Sequence, residues 1–450
     1  MRTSEQVGPR PALRRGVGLT DLVSYGLAFM VPISPFAVFG IVHARSGGMP
    51  VLAYLVAMVA LLFAAASYAQ LVKAFPLSGP PAGSVHAYAA RGIGPPAGFL
   101  TGWMVLLDYV LVPGLLYLVA AVAMHSSVPG VPVWAWLIAF AALNTAINLR
   151  GVRMTVRLTR VVIVFELVVL ALFLLAGVWA LLQGKGRGFG LSPLFDLETF
   201  SWPVVFAGVS VAVLSFIGFD RISLLAEEAG GGSGQVGRAM RLVLVLAGAL
   251  FMIQVWVAAL LAPGLPDFYD AAAVAGGEWL RHLTSTATAL SWGVANAMVA
   301  QVAASRLLYA MARDRQLPPF LAKVSVRRSV PANAIALVSL LSAGVGIWMS
   351  TRADGVELLV SLVSLGAIVA FVVLHASVIV HHSLRLGSDA MWSHLVSPLI
   401  GIGILVFVVL NAHATAQVVA LIWLAAGALV LAGRYALGRP PTLRGLTGRP

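Results

Sequence analysis

Acidic and basic residues interrupt an apolar stretch near the middle of this sequence. In LSFIGFDRISLLAEE, residues 214–228, the charged positions Asp220, Arg221, Glu227 and Glu228 follow an apolar run. A carboxylate accepts hydrogen bonds and binds cations, so the stretch has the residue types of a binding or proton-transfer site. Paired glutamates beside a loop also commonly hold the basic residues of that loop. Both interpretations stay open for Glu227 and Glu228.

Two further acids stand in apolar surroundings. Asp108 lies beside Tyr109 in GFLTGWMVLLDYVLVPGLLYL, and Glu166 lies in RVVIVFELVVLALF. A carboxylate in the middle of a bilayer costs about 2.5–3.5 kcal/mol on insertion scales, so such residues usually face a cavity or a partner. Asp108 is therefore a candidate to bind a cation, with the Tyr109 ring as a second contact. The alternative is a hydrogen bond between helices. Glu166 is a candidate to carry a coupled proton.

The composition indicates a membrane protein. The chain of 450 residues is 60% hydrophobic and 10% charged, with a mean hydropathy of +0.96, whereas about a quarter of the residues of a globular domain are charged. The net charge of +13 comes from short basic clusters between apolar stretches. That pattern orients membrane helices and does not indicate binding to nucleic acid.

Without cysteine, disulfides and thiol chemistry are excluded. The N-terminus, MRTSEQVGPRPALRRGVG, lacks the apolar segment of a cleaved signal peptide.

Twelve apolar stretches are long enough to cross a bilayer, since a helical span needs about 20 residues. Basic clusters precede the first stretch, follow the fourth and eighth, and end the chain, so all fall on one side of a twelve-span protein. Because cytoplasmic loops carry the excess of Lys and Arg, both termini are predicted to be cytoplasmic, at a cell inner membrane. The predicted spans are 19–44, 50–73, 94–124, 131–149, 154–182, 202–226, 239–262, 282–311, 331–350, 356–382, 393–411 and 413–434.

Two predicted spans are broken helices. Span 1, DLVSYGLAFMVPISPFAVFGIV, carries Pro32 and Pro35 in its middle, and proline removes a backbone donor and clashes with the preceding turn. Span 6 carries Ser215 and Gly218 at its middle. These spans open the first and the second five helices in opposite directions, and interrupted helices in such positions mark the central site of a transporter. The predicted fold is therefore an all-α polytopic membrane protein with an inverted 5+5 repeat and broken helices 1 and 6.

This fold divides the chain into five parts. A cytoplasmic N-terminal tail (1–18) precedes the first repeat (19–182) and the second repeat (202–382), and accessory spans (393–434) precede a cytoplasmic tail (435–450). Acids outnumber bases in the predicted core, which favours a cationic substrate. The predicted substrate-binding residues are Met30, Ser34, Asp108, Tyr109, Ser215, Gly218, Asp220, Glu227 and Glu228.

Motifs of competing chemistries are absent from the sequence. Neither G-x-x-x-x-G-K-[ST] nor H-E-x-x-H occurs, and the glycine-rich GKGRGFG and EEAGGGSGQVGR lack the strand–helix context of a phosphate-binding loop. The sequence therefore predicts no enzyme activity, no cofactor and no bound metal. A non-transporting sensor or membrane enzyme is the alternative class, without a motif in its favour.

The sequence resembles the amino acid–polyamine–organocation superfamily of secondary transporters, and within it the bacterial putrescine importers. The matching stretches are GLAFMVPISPFAVFGIV, SYAQLVKAFP, GFLTGWMVLLDYVLVP, LSFIGFDRISLLAEE, ASRLLYAMARDRQLP and LGAIVAFVVLHASV. The resemblance implies the twelve-helix, LeuT-like inverted repeat. It also implies substrate recognition by Tyr109 and by a glutamate of the Glu227–Glu228 pair. Arg221 departs from the importers, which have a small residue there, and a basic side chain opposes a diamine.

The expected activity is import of a small organic cation, putrescine or a related polyamine, coupled to protons. The alternative is an amino-acid permease of the same superfamily, for cationic or neutral amino acids, whose broken span 1 would hold the substrate carboxylate with its backbone. Arg221 bears on this choice. If it faces the cavity, it either neutralises Asp220 or binds an anionic group.

Overall fold

The computed structural model describes residues 17–75, 84–150, 152–226, 229–262, 264, 267–313, 318–325 and 330–438. These residues form helices joined by loops, and the only β contact among them is an isolated bridge between Val17 and Ala229. Nine of the described helical segments are long and apolar enough to cross a membrane, and a bent pair makes a tenth. The prediction of an all-helical, polytopic membrane protein is confirmed.

Sixteen α-helices and five shorter helical segments follow one another along the described chain. The shorter segments are 3₁₀-helices at Phe219–Leu225 and Pro319–Ala322 and π-helices at Ser291–Asn296, Ile379–Arg385 and Trp392–Val396. The α-helices are α1 (Leu19–Met30), α2 (Ser34–Arg45), α3 (Pro50–Ala74), α4 (Val85–Gly92), α5 (Pro95–Ser127), α6 (Val133–Asn148), α7 (Val152–Leu182), α8 (Trp202–Phe216), α9 (Gly232–Leu261), α10 (Phe268–Gly276), α11 (Glu278–Leu290), α12 (Ala297–Arg313), α13 (Ala332–Ser350), α14 (Gly355–Val378), α15 (Ser397–Leu410) and α16 (Ala414–Ala436).

Helices occupy all twelve positions at which the sequence predicts a span. The fourth position holds α6, whose 16 residues are fewer than the about 20 that a helical span needs. The eighth position holds α11 and α12, joined by a π-helix. Buried polar residues, among them Thr284, Ser285 and Thr288, lower the hydropathy there. Length and composition alone therefore do not mark these two as spans.

The first predicted break separates α1 from α2, whose axes differ by 55°. Between them, Val31 has a φ of +55°, the only positive φ of a non-glycine residue in the described chain. A β-branched side chain is rare in the left-handed region because its Cβ crowds the backbone. The Ser34 N–H donates to the Val31 carbonyl at 2.8 Å, which closes the turn before α2.

The strain at Val31 leads to a prediction about stability. In an ordinary helix, glycine lowers the stability by about 0.5–1 kcal/mol relative to alanine. In the left-handed region, by contrast, the Cβ of alanine costs about 1–2 kcal/mol. We therefore expect Val31→Gly to be more stable than Val31→Ala by about 1 kcal/mol, as measured by thermal unfolding of the purified protein. As a control, Ala57→Gly in the regular helix α3 should destabilise the protein. A Val31→Ala protein as stable as Val31→Gly would contradict the left-handed conformation.

The second predicted break follows α8, where Gly218 has a φ of +122°. A Cβ at Gly218 would lie 3.0 Å from the Phe29 Cβ and 3.1 Å from its carbonyl oxygen, which is tighter than most side-chain contacts, and the positive φ strains any residue other than glycine. The chain continues as the 3₁₀-helix Phe219–Leu225. The two breaks are therefore in direct contact, since Phe29 lies next to the end of α1.

Aromatic packing fixes α2 on the far side of its break. The Phe36 ring stacks on the Phe268 ring of α10, with centroids 3.9 Å apart, and Phe173 of α7 packs on Phe268 at 4.5 Å. All three side chains are buried. Close packing, and not exclusion of water, holds membrane helices together, and an aromatic pair contributes about 0.5–1.5 kcal/mol. The cluster thus holds the second half of the broken helix against two other elements.

Candidate functional site: a cavity between the broken helices

A cavity of about 100 Å³ lies where the two breaks meet. A buried water occupies roughly 10–15 Å³ on this measure, so the cavity has room for several waters or one small organic molecule. Residues of the first break, of α5, of the chain after α8, of the π-helix before α12 and of α14 line it. They include Phe29, Met30, Val31, Ser34, Asp108, Ile217, Arg221, Trp292, Asn296 and Val363.

Asp108 reaches the cavity from α5. Its Oδ1 atom is buried and has no hydrogen-bond partner among the described residues. A Cβ at Gly366 of α14 would lie 3.2 Å from the Met104 carbonyl of α5, so the two helices approach closely beside Asp108. An unpaired carboxylate oxygen in such surroundings is costly unless a ligand or an ion satisfies it. The arrangement suits an ammonium group.

Arg221 reaches the same cavity from the 3₁₀-helix after Gly218. Its guanidinium carbon lies 5.3 Å from the centroid of the Phe29 ring, a cation–π contact. Its charge is within electrostatic reach of Asp220 and Asp108. Within the described part of the chain it forms no ion pair with either acid. Among the described residues, the cavity therefore contains a carboxylate oxygen without a hydrogen-bond partner and a guanidinium without an ion pair.

The π-helix Ser291–Asn296 supplies a third wall. Trp292 and Asn296 line the cavity, and the Asn296 side-chain amide donates to the Ser291 carbonyl at 3.3 Å. Short π-helical segments inside longer helices frequently occur at functional sites. Trp292, Phe29 and the π-helix could not be found from the sequence, because an apolar pattern with a period of 3.6 residues contains no signal for this turn.

Glu166 of α7 lies close to this wall. Its side chain is 2% exposed and faces Ser291, and its Oε2 atom has no hydrogen-bond partner within the described ranges. Ser291 belongs to the same π-helix as the cavity residues Trp292 and Asn296. Glu166 thus lies beside the π-helix that lines the cavity but does not itself line the cavity.

The structure brings some of the predicted site residues together and places others elsewhere. Met30, Ser34 and Asp108 line the cavity. Tyr109, the neighbour of Asp108, lines a separate apolar pocket between α5, α12 and α13. The two side chains point differently because successive residues of a helix lie about 100° apart. Glu227 and Glu228 lie outside the described residues.

The remaining predicted residues belong to the second break without lining the cavity. Ser215 is fully buried and shares a hydrogen bond of 3.0 Å with the hydroxyl of Tyr54 on α3. The Gly218 N–H donates to the Asp220 Oδ1 atom at 3.2 Å. Asp220 therefore holds the turn at which α8 ends, in the manner of aspartates that accept bonds from nearby backbone N–H groups.

Comparisons with known proteins agree over almost the whole chain. Residues 22–423 match the profile of the family described as amino acid permease. The low-affinity putrescine importer PlaP of Escherichia coli (strain K12) is 32% identical over 443 residues, which cover 94% of each chain. The methylthioribose transporter and the branched-chain amino acid permease BcaP of Bacillus subtilis (strain 168) are each 25% identical. These two alignments cover 93% of this chain, and 93% and 92% of the relatives.

Proposed function

The chain belongs to the amino acid permease family of the amino acid–polyamine–organocation superfamily, and we propose that it imports a small organic cation, putrescine or a related polyamine, by secondary active transport coupled to protons. The family and the named relatives are permeases, not enzymes. The name of PlaP, the relative at 32% identity, supports a diamine. The unsatisfied Asp108 oxygen in the cavity is the observation that carries the proposal.

The architecture that we propose has twelve spans in an inner membrane, with both termini cytoplasmic. Residues 19–182 and 202–382 form a LeuT-like inverted repeat, 393–434 are accessory, and 1–18 and 435–450 are cytoplasmic tails. Helices at all twelve positions support the count. The direct contact of the two breaks, at the first helix of each proposed repeat, supports the repeat.

In the proposed mechanism an ammonium group of the substrate pairs with Asp108, while Met30 and Ser34 contact the rest of the molecule. Ser215, Gly218 and Asp220 would act by shaping the second break, and Tyr109 by its hydroxyl, which is within electrostatic reach of Arg221. Alternating access would follow from rocking of one repeat against the other about this site. A glutamate of the pair Glu227–Glu228 is proposed as a further contact of the substrate.

Arg221 favours a second candidate function, import of amino acids. An amino acid carries an ammonium and a carboxylate, and the cavity offers a partner for each, Asp108 and Arg221. A diamine would instead bring a second positive charge toward the guanidinium. The same cavity therefore serves either substrate class. Arg221 would pair with the carboxylate of an amino acid, whereas it would repel the second ammonium of a diamine.

Uptake into proteoliposomes tests the proposal. Labelled putrescine, arginine and a branched-chain amino acid would be offered with and without an acidic exterior. Accumulation of putrescine that depends on the pH gradient supports the proposal. Accumulation of an amino acid in preference to putrescine replaces it by the second candidate. A protein that is folded but transports none of them would favour the non-transporting class.

Proton coupling leads to a prediction for Glu166. If this buried carboxylate carries the coupled proton, Glu166→Gln keeps its shape but removes its titration. We expect the variant to exchange substrate across the membrane while it no longer accumulates substrate when the exterior is acidic. Counterflow and gradient-driven uptake in the same proteoliposomes measure the two activities separately.

The matched control is Glu278→Gln, which removes a carboxylate that is 68% exposed at the start of α11. It should leave both activities unchanged. Gradient-driven accumulation that survives in Glu166→Gln would make Glu166 a structural partner of Ser291 and would place proton coupling elsewhere.

A further inference from the structure

We infer that Gln254 of α9 is a positioning residue for substrate binding, which acts by holding the backbone of the first break. The Gln254 side chain is fully buried. Its Nε2 atom donates to the Pro32 carbonyl at 3.1 Å and to the Leu250 carbonyl of its own helix at 2.9 Å. The first of these bonds joins α9 to the turn between α1 and α2. Gln254 itself does not line the cavity.

The Pro32 carbonyl needs this donor because of the break. In a continuous α-helix it would accept a bond from the N–H of residue 36. The Phe36 N–H instead donates to the Ile33 carbonyl at 3.0 Å. A buried carbonyl without a partner costs free energy comparable to a lost hydrogen bond, and at membrane depth no bulk water replaces the partner. Gln254 thus supplies from another helix the bond that the break removes.

The bond bears on the cavity because its acceptor lies between cavity residues. Met30 and Val31 precede Pro32, Ser34 follows it, and all three line the cavity. Val31 has the strained φ of +55°, and strained residues persist only where surrounding contacts over-determine their conformation. Gln254 provides such a contact one residue away. Its loss should shift the cavity wall and weaken substrate binding without removing any group that touches the substrate.

A comparison with Gln301 of α12 separates this role from ordinary helix pairing. Gln301 is also fully buried, and both ends of its amide join α12 to α6. Its Oε1 accepts from Asn148 at 2.6 Å, and its Nε2 donates to Thr145 at 3.0 Å. In Gln254, by contrast, Oε1 has no hydrogen-bond partner among the described residues. Among the described residues, the Gln254 side chain therefore acts as a hydrogen-bond donor and not as an acceptor.

The transport experiment compares Gln254→Met, Gln254→Glu and Gln301→Met with wild type. Methionine has a similar volume but no donor, so we expect KM to rise about tenfold, equivalent to about 1.4 kcal/mol, with folded protein remaining. Protonated glutamate can donate to the Pro32 carbonyl, whereas ionised glutamate cannot. With KM expressed relative to wild type at each pH, Gln254→Glu should therefore have a lower KM than Gln254→Met at about pH 5. By about pH 9 this difference in KM should disappear.

The control variant Gln301→Met should lower the amount of folded protein and leave KM unchanged. Equal KM for all three variants would overturn the inference. It would also be overturned if Gln254→Met and Gln254→Glu did not differ in KM at acidic pH.

The inference rests on the proposed function for its transport readout, so a second readout avoids transport. The chain has no cysteine, so Ser34→Cys introduces a single reactive thiol into the cavity wall. Its rate of alkylation by a water-soluble maleimide should change severalfold when combined with Gln254→Met and stay constant with Gln301→Met. If the alkylation rate changes in a protein that transports no tested substrate, the role of Gln254 is supported and the proposed function is overturned. An unchanged rate overturns the role of Gln254 even where transport is observed.

Discussion

Replacing Asp108 with asparagine should abolish or severely weaken uptake of a cationic substrate, in a protein that still inserts and folds. The amide has the size of the carboxylate and can still form a hydrogen bond, but it has no charge to pair with an ammonium. Hydrogen bonds to charged groups contribute about 1.5–3 kcal/mol, so the apparent affinity should fall by roughly 10- to 150-fold. Uptake as a function of putrescine concentration measures the change.

The control for Asp108→Asn is Asp354→Asn. Asp354 lies in the loop before α14 and pairs with Arg352, with Oδ1 2.9 Å from the arginine Nε. It is not among the residues that line the cavity, so its replacement should not change the apparent affinity. Asp108→Asn protein with wild-type affinity would make Asp108 a structural hydrogen-bonding residue, the alternative that the sequence leaves open.

The helices and their breaks could be predicted from the sequence because local chemistry determines them. Apolar stretches of sufficient length locate the helices, and Pro32 and Pro35 predict the first break since they remove backbone donors there. Gly218 predicts the second break. The structure adds a reason that the sequence does not contain: Gly218 lies so close to Phe29 of another helix that a side chain would crowd it.

The composition of the cavity could be predicted only in part, because it depends on side-chain direction and on contacts between distant segments. Asp108 and Tyr109 are neighbours in the sequence, yet they line different pockets. Asp220 looks like a binding residue in the sequence, but its carboxylate accepts a bond from the local backbone. Gln254 is the one polar residue in the apolar part of α9, residues 242–261, and nothing near it in the sequence indicates the Pro32 carbonyl, 222 positions away, as its partner.

Arg221 is the residue whose direction the sequence could not determine. It stands one position after Asp220, and either a lipid-facing or a cavity-facing side chain was compatible with that position. The 3₁₀-helix after Gly218 and the Phe29 ring beneath the guanidinium direct it into the cavity. The consequence is a test of substrate class, since a guanidinium repels a diamine and attracts a carboxylate.

Arg221→Ala should improve the apparent affinity for putrescine and weaken that for amino acids. Removal of a positive charge from a cavity of low polarity eliminates repulsion of the second ammonium of a diamine. A carboxylate that paired with the guanidinium would lose about 1.5–3 kcal/mol, or roughly 10- to 150-fold in affinity. The measurement is competition of arginine and neutral amino acids against labelled putrescine, in wild type and variant.

The wild-type competition decides between the two candidate functions, and the variant shows whether Arg221 is responsible. Weak competition by amino acids in wild type, with tighter putrescine binding in the variant, supports a cation importer that tolerates Arg221. Strong competition in wild type that disappears in the variant makes the chain an amino-acid permease. Arg241→Ala is the control, because it removes an equal charge from an exposed position of α9. If it changes selectivity as much as Arg221→Ala does, the effect comes from the overall charge of the protein and not from a contact in the cavity.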